Sequence, residues 1–174
     1  MTAIYVGQAE WRVVRGDPAA VLTTVLGSCV ACCLWDPEAA VGGMNHFLLP
    51  EGRGGGLAAM SVGSTAMEVL INECLKAGAA RERLRARLFG GGAVVPRLSD
   101  VGARNAAFAR GFLATEGIPM VGGSLGGPSA RRIRFWPATG KAQQRLVRDA
   151  SAETLPRAPV PPPDRRGAGE LELF

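Results

Sequence analysis

The 174-residue chain is 47% hydrophobic, a size and composition that suit one globular domain with its own buried core. Its net charge of +5 comes mainly from arginines scattered among acidic residues. The chain lacks the basic stripe with interleaved aromatic side chains that nucleic-acid binding needs, so we expect no nucleic-acid partner. No apolar stretch is long enough to cross a bilayer and no signal peptide is visible. These features predict a cytoplasmic protein with reduced cysteines and no membrane insertion.

Apolar periodicity divides residues 1–148 into strands and two helices. Short apolar or β-branched runs bounded by turn residues predict strands, and apolar residues at helical spacing predict helices. The expected strands are 3–7, 11–14, 20–26, 30–35, 41–49, 83–89, 118–122, 133–136 and 141–148. The expected helices are 64–77, which Gly78 ends, and 101–116, which Asp100 caps and Gly117 ends.

These elements predict one α+β domain over residues 1–148, a layered sandwich of mostly antiparallel strands with two helices packed on the sheet. Most neighbouring strands are close enough in sequence to pair as hairpins. Residues 149–174 are rich in proline and charge, which predicts a flexible tail without a core. The last four residues, 171–174, are apolar enough to dock on the domain or on a partner. We expect the protein to be a monomer.

The stretch 23–50 concentrates the residues with reactive side chains. It holds His46, the only histidine of the chain, and three of the four cysteines. Among them, Cys29 follows a break at Gly27-Ser28 in an otherwise apolar run, which predicts a tight turn between two strands.

A second turn signal, Asp36-Pro37, predicts that strands 30–35 and 41–49 form a hairpin. Cys29, just before the first strand, would then lie across from His46, near the end of the second. An imidazole beside a thiol can take its proton, so this pair is a candidate nucleophile and base.

Other interpretations of these residues stay open at this point. Cys29, Cys32, Cys33 and His46 could form a zinc site, but Cys32 and Cys33 are consecutive in a strand and should face opposite ways, so we expect no metal. Cys29 and Cys32 could also form a redox pair of the thioredoxin type. That motif normally lies at the start of a helix, whereas here it lies at the start of a predicted strand. Cys29 and His46 could also be structural core residues. Cys74 lies on the apolar stripe of the first helix and is expected to be a core thiol.

The stretch resembles the CheD family of chemoreceptor glutamine deamidases. The resemblance lies in the Gly-Ser-Cys turn, the Asp-Pro turn and a Gly-Gly-x-x-His segment followed by an apolar residue and Leu-Pro. Further matches follow in the family's order: Gly90-Gly91-Gly92-Ala93, Val101-Gly102-Ala103-Arg104-Asn105, Leu125-Gly126-Gly127 and Thr139-Gly140-Lys141. Together they span roughly residues 4–148.

The resemblance implies a protein-glutamine glutaminase that converts glutamines of methyl-accepting chemotaxis receptors to glutamate, without a cofactor. It implies a CheC-type phosphatase as a second partner in organisms that have one. It also implies Thr23, six residues before Cys29, as the residue that orients His46, while Thr24 should face the opposite way. For Arg104-Asn105 the simpler role is to tie the start of the second helix to a neighbouring loop.

The expected mechanism is attack of the Cys29 thiolate on a carboxamide, with His46 as acid and base and a thioester intermediate. Backbone amides of the Gly27-Ser28-Cys29 turn are the natural oxyanion donors. The alternative is a non-catalytic adaptor that binds receptors or the phosphatase through the same pocket.

Overall fold

The computed structural model describes residues 2–50, 55–95, 99–147 and 171–174. The strands are β1 (Thr2–Tyr5), β2 (Glu10–Arg15), β3 (Ala20–Leu26), β4 (Val30–Asp36), β5 (Val41–His46), β6 (Arg85–Gly90), β7 (Met120–Leu125), β8 (Ala130–Trp136), β9 (Lys141–Val147) and β10 (Leu171–Leu173). The helices are α1 (Gly55–Lys76) and α2 (Ser99–Glu116), and a short 3-10 turn spans Arg81–Arg83. Within the described residues, neither helix is long and apolar enough to span a membrane.

The strands form two five-stranded sheets. The first sheet has the order β1-β3-β8-β9-β10 and the second has the order β2-β5-β4-β6-β7. Among the described strands, the pairs β1–β3 and β6–β7 are parallel and the other neighbours are antiparallel. The predicted α+β class and the mostly antiparallel pairing are therefore confirmed.

Two apolar cores divide the molecule into layers of sheet, sheet and helices. The core between the sheets includes Leu22, Leu26, Met44 and Phe135. The other core, formed by residues such as Leu70, joins the outer face of the second sheet to both helices. Because β4 lies in the centre of the second sheet, all seven of its residues are buried. This position explains its continuously apolar sequence.

The β4–β5 hairpin is held at its turn by a buried carboxylate. Asp36 is fully buried and accepts hydrogen bonds from the backbone N–H of Glu38, Ala39 and Ala80. Arg83 Nε donates to both Asp36 oxygens at 3.0 Å. Burial alone would raise the pKa of Asp36, but these hydrogen bonds outweigh it and hold the pKa well below its usual range. The same contact keeps Arg83 in a 3-10 turn, so β6 begins at Arg85 and not at 83 as predicted.

Helix α1 begins nine residues earlier than the predicted start at 64, at Gly55. The prediction relied on the apolar stripe that begins at Met67. The first turns of the helix leave Leu57 84% exposed and Met60 59% exposed, and they face the core with Ala59 and Gly63, which are too small to mark an apolar stripe.

The C-terminal residues dock on the domain itself, which is one of the two alternatives expected. Strand β10 pairs antiparallel with β9, and Phe174 exchanges two backbone hydrogen bonds with Ala142. The Phe174 ring packs edge-on against Phe89, with 5.5 Å between the ring centroids. The proline-rich residues 148–170 lie outside the described residues, so the flexible tail stays a prediction.

Candidate active site

Cys29 lies where the chain passes from the first sheet to the second. Strand β3 belongs to the first sheet and β4 to the second, and residues 27–29 make the whole connection between them. This short connection leaves Cys29 at the end of the core between the sheets, with 7% of its surface exposed.

His46 is the last residue of β5 and lies on the same face of the second sheet as Cys29. The antiparallel pairing of β4 and β5 joins Cys33 to Met44 and continues through the bridge between Val30 and Phe47. This register places Ala31 opposite His46 and makes Cys29 its diagonal neighbour. The predicted hairpin is therefore confirmed, and its register puts the two residues at a diagonal separation that long side chains can span.

The imidazole of His46 is held by the first sheet. Thr24 Oγ1 lies 2.9 Å from His46 Nδ1 and donates its own hydrogen to the Val6 carbonyl oxygen at 2.7 Å. The Val6 oxygen also lies 3.3 Å from Nδ1. The Thr24 hydroxyl has used its hydrogen on Val6, and a carbonyl oxygen has none, so both oxygens can only accept a hydrogen bond from the ring. Nδ1 therefore carries the hydrogen in the neutral imidazole. Nε2 is then the nitrogen that can take a proton.

The threonine that contacts the ring in the structure is Thr24, one position after the expected Thr23. Strand β3 faces the second sheet with Leu22 and Leu26, which both belong to the core between the sheets. Alternate residues of a strand share a face, so Thr24 points the same way as these leucines. The two threonines face opposite ways, as expected, but it is Thr24 that faces His46 and the second sheet. The leucine spacing was the sequence signal that distinguishes them.

The surroundings of His46 favour the neutral form of its imidazole. It is 5% exposed, and this burial lowers its pKa below the ordinary value, against the opposing effects of the Val6 carbonyl and Glu10. Its backbone is fixed as well, because the Ala9 N–H donates to the His46 carbonyl at 2.8 Å.

The turn at Cys29 has its carbonyl groups occupied by donors from elsewhere in the chain. Gly92 N–H donates to the Gly27 carbonyl at 2.9 Å, Gly91 N–H donates to the Cys29 carbonyl at 2.8 Å, and Asn105 Nδ2 donates to the Ser28 carbonyl at 2.9 Å. In a trans peptide the C=O and the following N–H point in opposite directions. Fixing the carbonyls of Gly27 and Ser28 therefore fixes the N–H groups of Ser28 and Cys29.

Asn105 joins the two halves of the site. It is fully buried in α2, and while Nδ2 holds the Ser28 carbonyl, Oδ1 accepts from the Leu49 N–H at 3.1 Å. The expectation that this part of α2 ties the helix to a neighbouring loop is confirmed for Asn105. Its contact with the turn that carries Cys29 was missed, because the two residues are far apart in sequence.

The other three cysteines are separate from this site. Cys32 and Cys74 lie in the core beneath the helices, whereas Cys33 faces the core between the sheets. Burial raises the pKa of all three thiols, that of Cys74 to about 12. Cys32 and Cys33 thus cannot converge on one ion, and the described part of the chain holds no group of three or more His, Cys, Asp or Glu side chains arranged for a metal.

The fold and site together define an α+β sandwich in which a cysteine and a histidine are diagonal neighbours on one sheet face, at the junction of its two sheets. A family model described as CheD chemotactic sensory transduction matches residues 48–146. A "Probable chemoreceptor glutamine deamidase CheD" from Caulobacter vibrioides is 54% identical, in an alignment that covers 98% of this chain and 92% of that protein.

Two further relatives carry the same description. The protein from Acidiphilium cryptum is 52% identical over 98% of this chain and 93% of its own length. The protein from Agrobacterium fabrum is 46% identical over 98% of this chain and 96% of its own length. The chain belongs to the CheD family.

Replacing Asn105 should loosen the turn that carries Cys29. Asn105→Ala leaves the Ser28 carbonyl and the Leu49 N–H without their partner, so we expect a loss of about 2–3 kcal/mol in the free energy of unfolding, measured in urea. Asn105→Asp keeps the acceptor for Leu49 but turns an oxygen toward the Ser28 carbonyl, and should also be destabilising. The control is Arg104→Ala on the exposed side of α2. Equal stability of Asn105→Ala and Arg104→Ala would refute this assignment.

His46 should titrate below the ordinary histidine pKa of about 6.5. As the only histidine of the chain, it gives a single imidazole signal in an NMR titration. Because the unfolded chain binds this proton more readily than the folded one, the stabilisation is complete above about pH 6.5 and is lost as the pH falls through the folded-state pKa. His46→Gln should flatten this part of the stability profile. A titration midpoint at or above 6.5 would contradict the burial argument.

Proposed function

We propose that this protein is a protein-glutamine deamidase that converts glutamines of methyl-accepting chemoreceptors to glutamate, with Cys29 as nucleophile and His46 as acid and base. The observation that carries the proposal is the position of Cys29 and His46 as diagonal neighbours on one sheet face, with Nδ1 of the imidazole facing acceptors. Membership of the CheD family and the descriptions of its relatives supply the substrate class.

The first step is the transfer of the Cys29 thiol proton to His46 Nε2. The resulting thiolate attacks the carboxamide carbon of the substrate glutamine, so that a C–S bond forms and the carbonyl electron pair moves onto oxygen. Since Thr24 and Val6 occupy the Nδ1 side of the ring, the proton goes to the nitrogen that can later return it.

The negative oxygen that forms in this step needs oriented donors. The N–H groups of Ser28 and Cys29 are supported in this role because the carbonyls of Gly27 and Ser28 are held from behind by Gly92 and Asn105. Donors that are already oriented cost no reorganisation when the charge appears.

The intermediate then collapses and the enzyme is regenerated. The C–N bond breaks while the His46 imidazolium gives its proton to the departing ammonia, which leaves a thioester on Cys29. Neutral His46 next takes a proton from water, the hydroxide attacks the thioester carbon, and the C–S bond breaks as the imidazolium gives this proton to the Cys29 sulfur. The products are the glutamate side chain and the restored thiol. Neutrality of His46 at rest, favoured by its burial, suits the first step, in which it accepts a proton.

Adjacent threonines offer a matched test of what orients His46. Thr24→Val removes the acceptor that holds Nδ1, so we expect kcat to fall about 10- to 100-fold, less than for loss of Cys29 or His46, because a neutral hydroxyl orients the ring without stabilising imidazolium. Thr23→Val makes the same chemical change on the opposite face of β3 and should leave kcat within about twofold. The reverse ranking would restore Thr23, the position that the family resemblance implies.

The proposal as a whole is tested by mass spectrometry of a receptor cytoplasmic fragment incubated with the protein. Wild type should convert specific glutamines to glutamates, while Cys29→Ala and His46→Gln should not. Cys74→Ala, which changes a buried thiol beneath the helices, serves as the control and should stay active. Binding without conversion would favour the adaptor, and neither binding nor conversion would remove the receptor as substrate. The CheC-type phosphatase, the monomeric state and the cytoplasmic location stay predictions.

A further inference from the structure

We infer that Gln8 is a substrate-binding residue, whose side-chain carboxamide holds the carboxamide of the target glutamine against Cys29. This inference deepens the proposed deamidase function and rests on it. Its basis is a contact outside the Cys–His pair: Gln8 Oε1 lies 3.9 Å from the Cys29 sulfur. Gln8 itself is exposed, so the side chain reaches the nucleophile from the solvent side of the site.

The turn that presents Gln8 is tied to its position. It runs from Gly7 to Glu10, closed by the Glu10 N–H donating to the Gly7 carbonyl at 3.0 Å and by the Gly7 N–H donating to Glu10 Oε2 at 2.8 Å. Ala9 lies at φ 64°, in the left-handed region that costs a non-glycine residue about 1–2 kcal/mol. Such a conformation persists when its surroundings impose it, here through the bond from the Ala9 N–H to the His46 carbonyl.

The same segment supports the imidazole. The carbonyl of Val6 accepts from Thr24 and lies against His46 Nδ1, two residues before Gln8 reaches the sulfur. One short connection between β1 and β2 therefore contacts both members of the catalytic pair, through its backbone at His46 and through a side chain at Cys29. A turn built in this way fixes the backbone position from which the Gln8 side chain reaches the reacting atoms.

A carboxamide at this place matches the chemistry of the substrate. It carries one acceptor oxygen and two N–H donors, which complement the NH2 and the carbonyl of a second primary amide. Gln8 can accept from the amide nitrogen of the substrate and donate to its oxygen as negative charge develops there. Because Gln8 is neutral, it does so without opposing the thiolate. A carboxylate of the same shape would repel both the thiolate and the oxyanion.

The test compares Gln8→Ala and Gln8→Glu with wild type. Because Gln8 is exposed at a turn, Gln8→Ala should leave the thermal stability of the protein almost unchanged. It should lower kcat/KM for the receptor fragment about 10- to 100-fold, and Gln8→Glu should lower it further. The control is Gln143→Ala, which removes a glutamine from β9 of the first sheet and should behave as wild type.

A second measurement reports on Gln8 even if the receptor is not the substrate. Cys29 is alkylated with iodoacetamide, which carries a primary carboxamide, and with methyl iodoacetate, which is equally neutral but has no N–H group. In Gln8→Ala the rate with iodoacetamide relative to methyl iodoacetate should fall several-fold. Failure of the proposed function appears instead as a wild type that deamidates nothing.

Two results would overturn the inference. The first is a Gln8→Ala variant whose kcat/KM and alkylation ratio both equal those of wild type. The second is the finding, by peptide mapping, that position 8 is glutamate in the wild-type protein but glutamine in Cys29→Ala. In that case the carboxamide of Gln8 is itself attacked, and the residue is a substrate of the enzyme and not part of its binding site.

Discussion

The site depends on how the three residues Gly27, Ser28 and Cys29 carry the chain from one sheet to the other. A connection this short must be held by groups that are distant in sequence. Each of its three carbonyl groups accepts a hydrogen bond from such a group, and the donors are Gly91, Gly92 and Asn105. Gly90, at φ 107°, passes so close to the Cys29 carbonyl that a side chain there would collide with it. The separate motifs around residues 90 and 105 thus serve one purpose, which is to fix the backbone on which the thiol sits.

The hairpin and the Cys–His neighbourhood were predictable because they are local. The chain between Cys29 and His46 contains a turn signal flanked by two strand patterns, and antiparallel pairing across a short turn brings its ends together. Strand β3 was also predictable in its bounds, 20–26. Leu22 and Leu26 mark the face of β3 that meets the second sheet, and the family spacing that implied Thr23 gave no information about that face.

The remaining features depend on contacts between distant segments. No local pattern shows that β3 and β4 belong to different sheets, since consecutive strands usually pair with each other. The contacts of Gln8 with Cys29 and of Asn105 with Ser28 join the first turn and the second helix to the same connection. The early start of α1 was missed for a different reason, because its first turns face the core only with small residues such as Ala59, while the large Leu57 is exposed.

Two side chains that contact the pair are uncharged, Thr24 at His46 Nδ1 and Gln8 at the Cys29 sulfur, and this suits the proton transfer proposed between Cys29 and His46. Glu10 lies opposite His46 in the pairing of β2 with β5 and acts to raise the pKa of the imidazole, but burial outweighs it and the pKa is lowered. A carboxylate in place of Thr24 would raise that pKa and favour imidazolium at rest, which cannot accept the thiol proton. A lowered pKa leaves His46 able to take the thiol proton in the proposed mechanism, in which the thiolate and the imidazolium form together and stabilise each other.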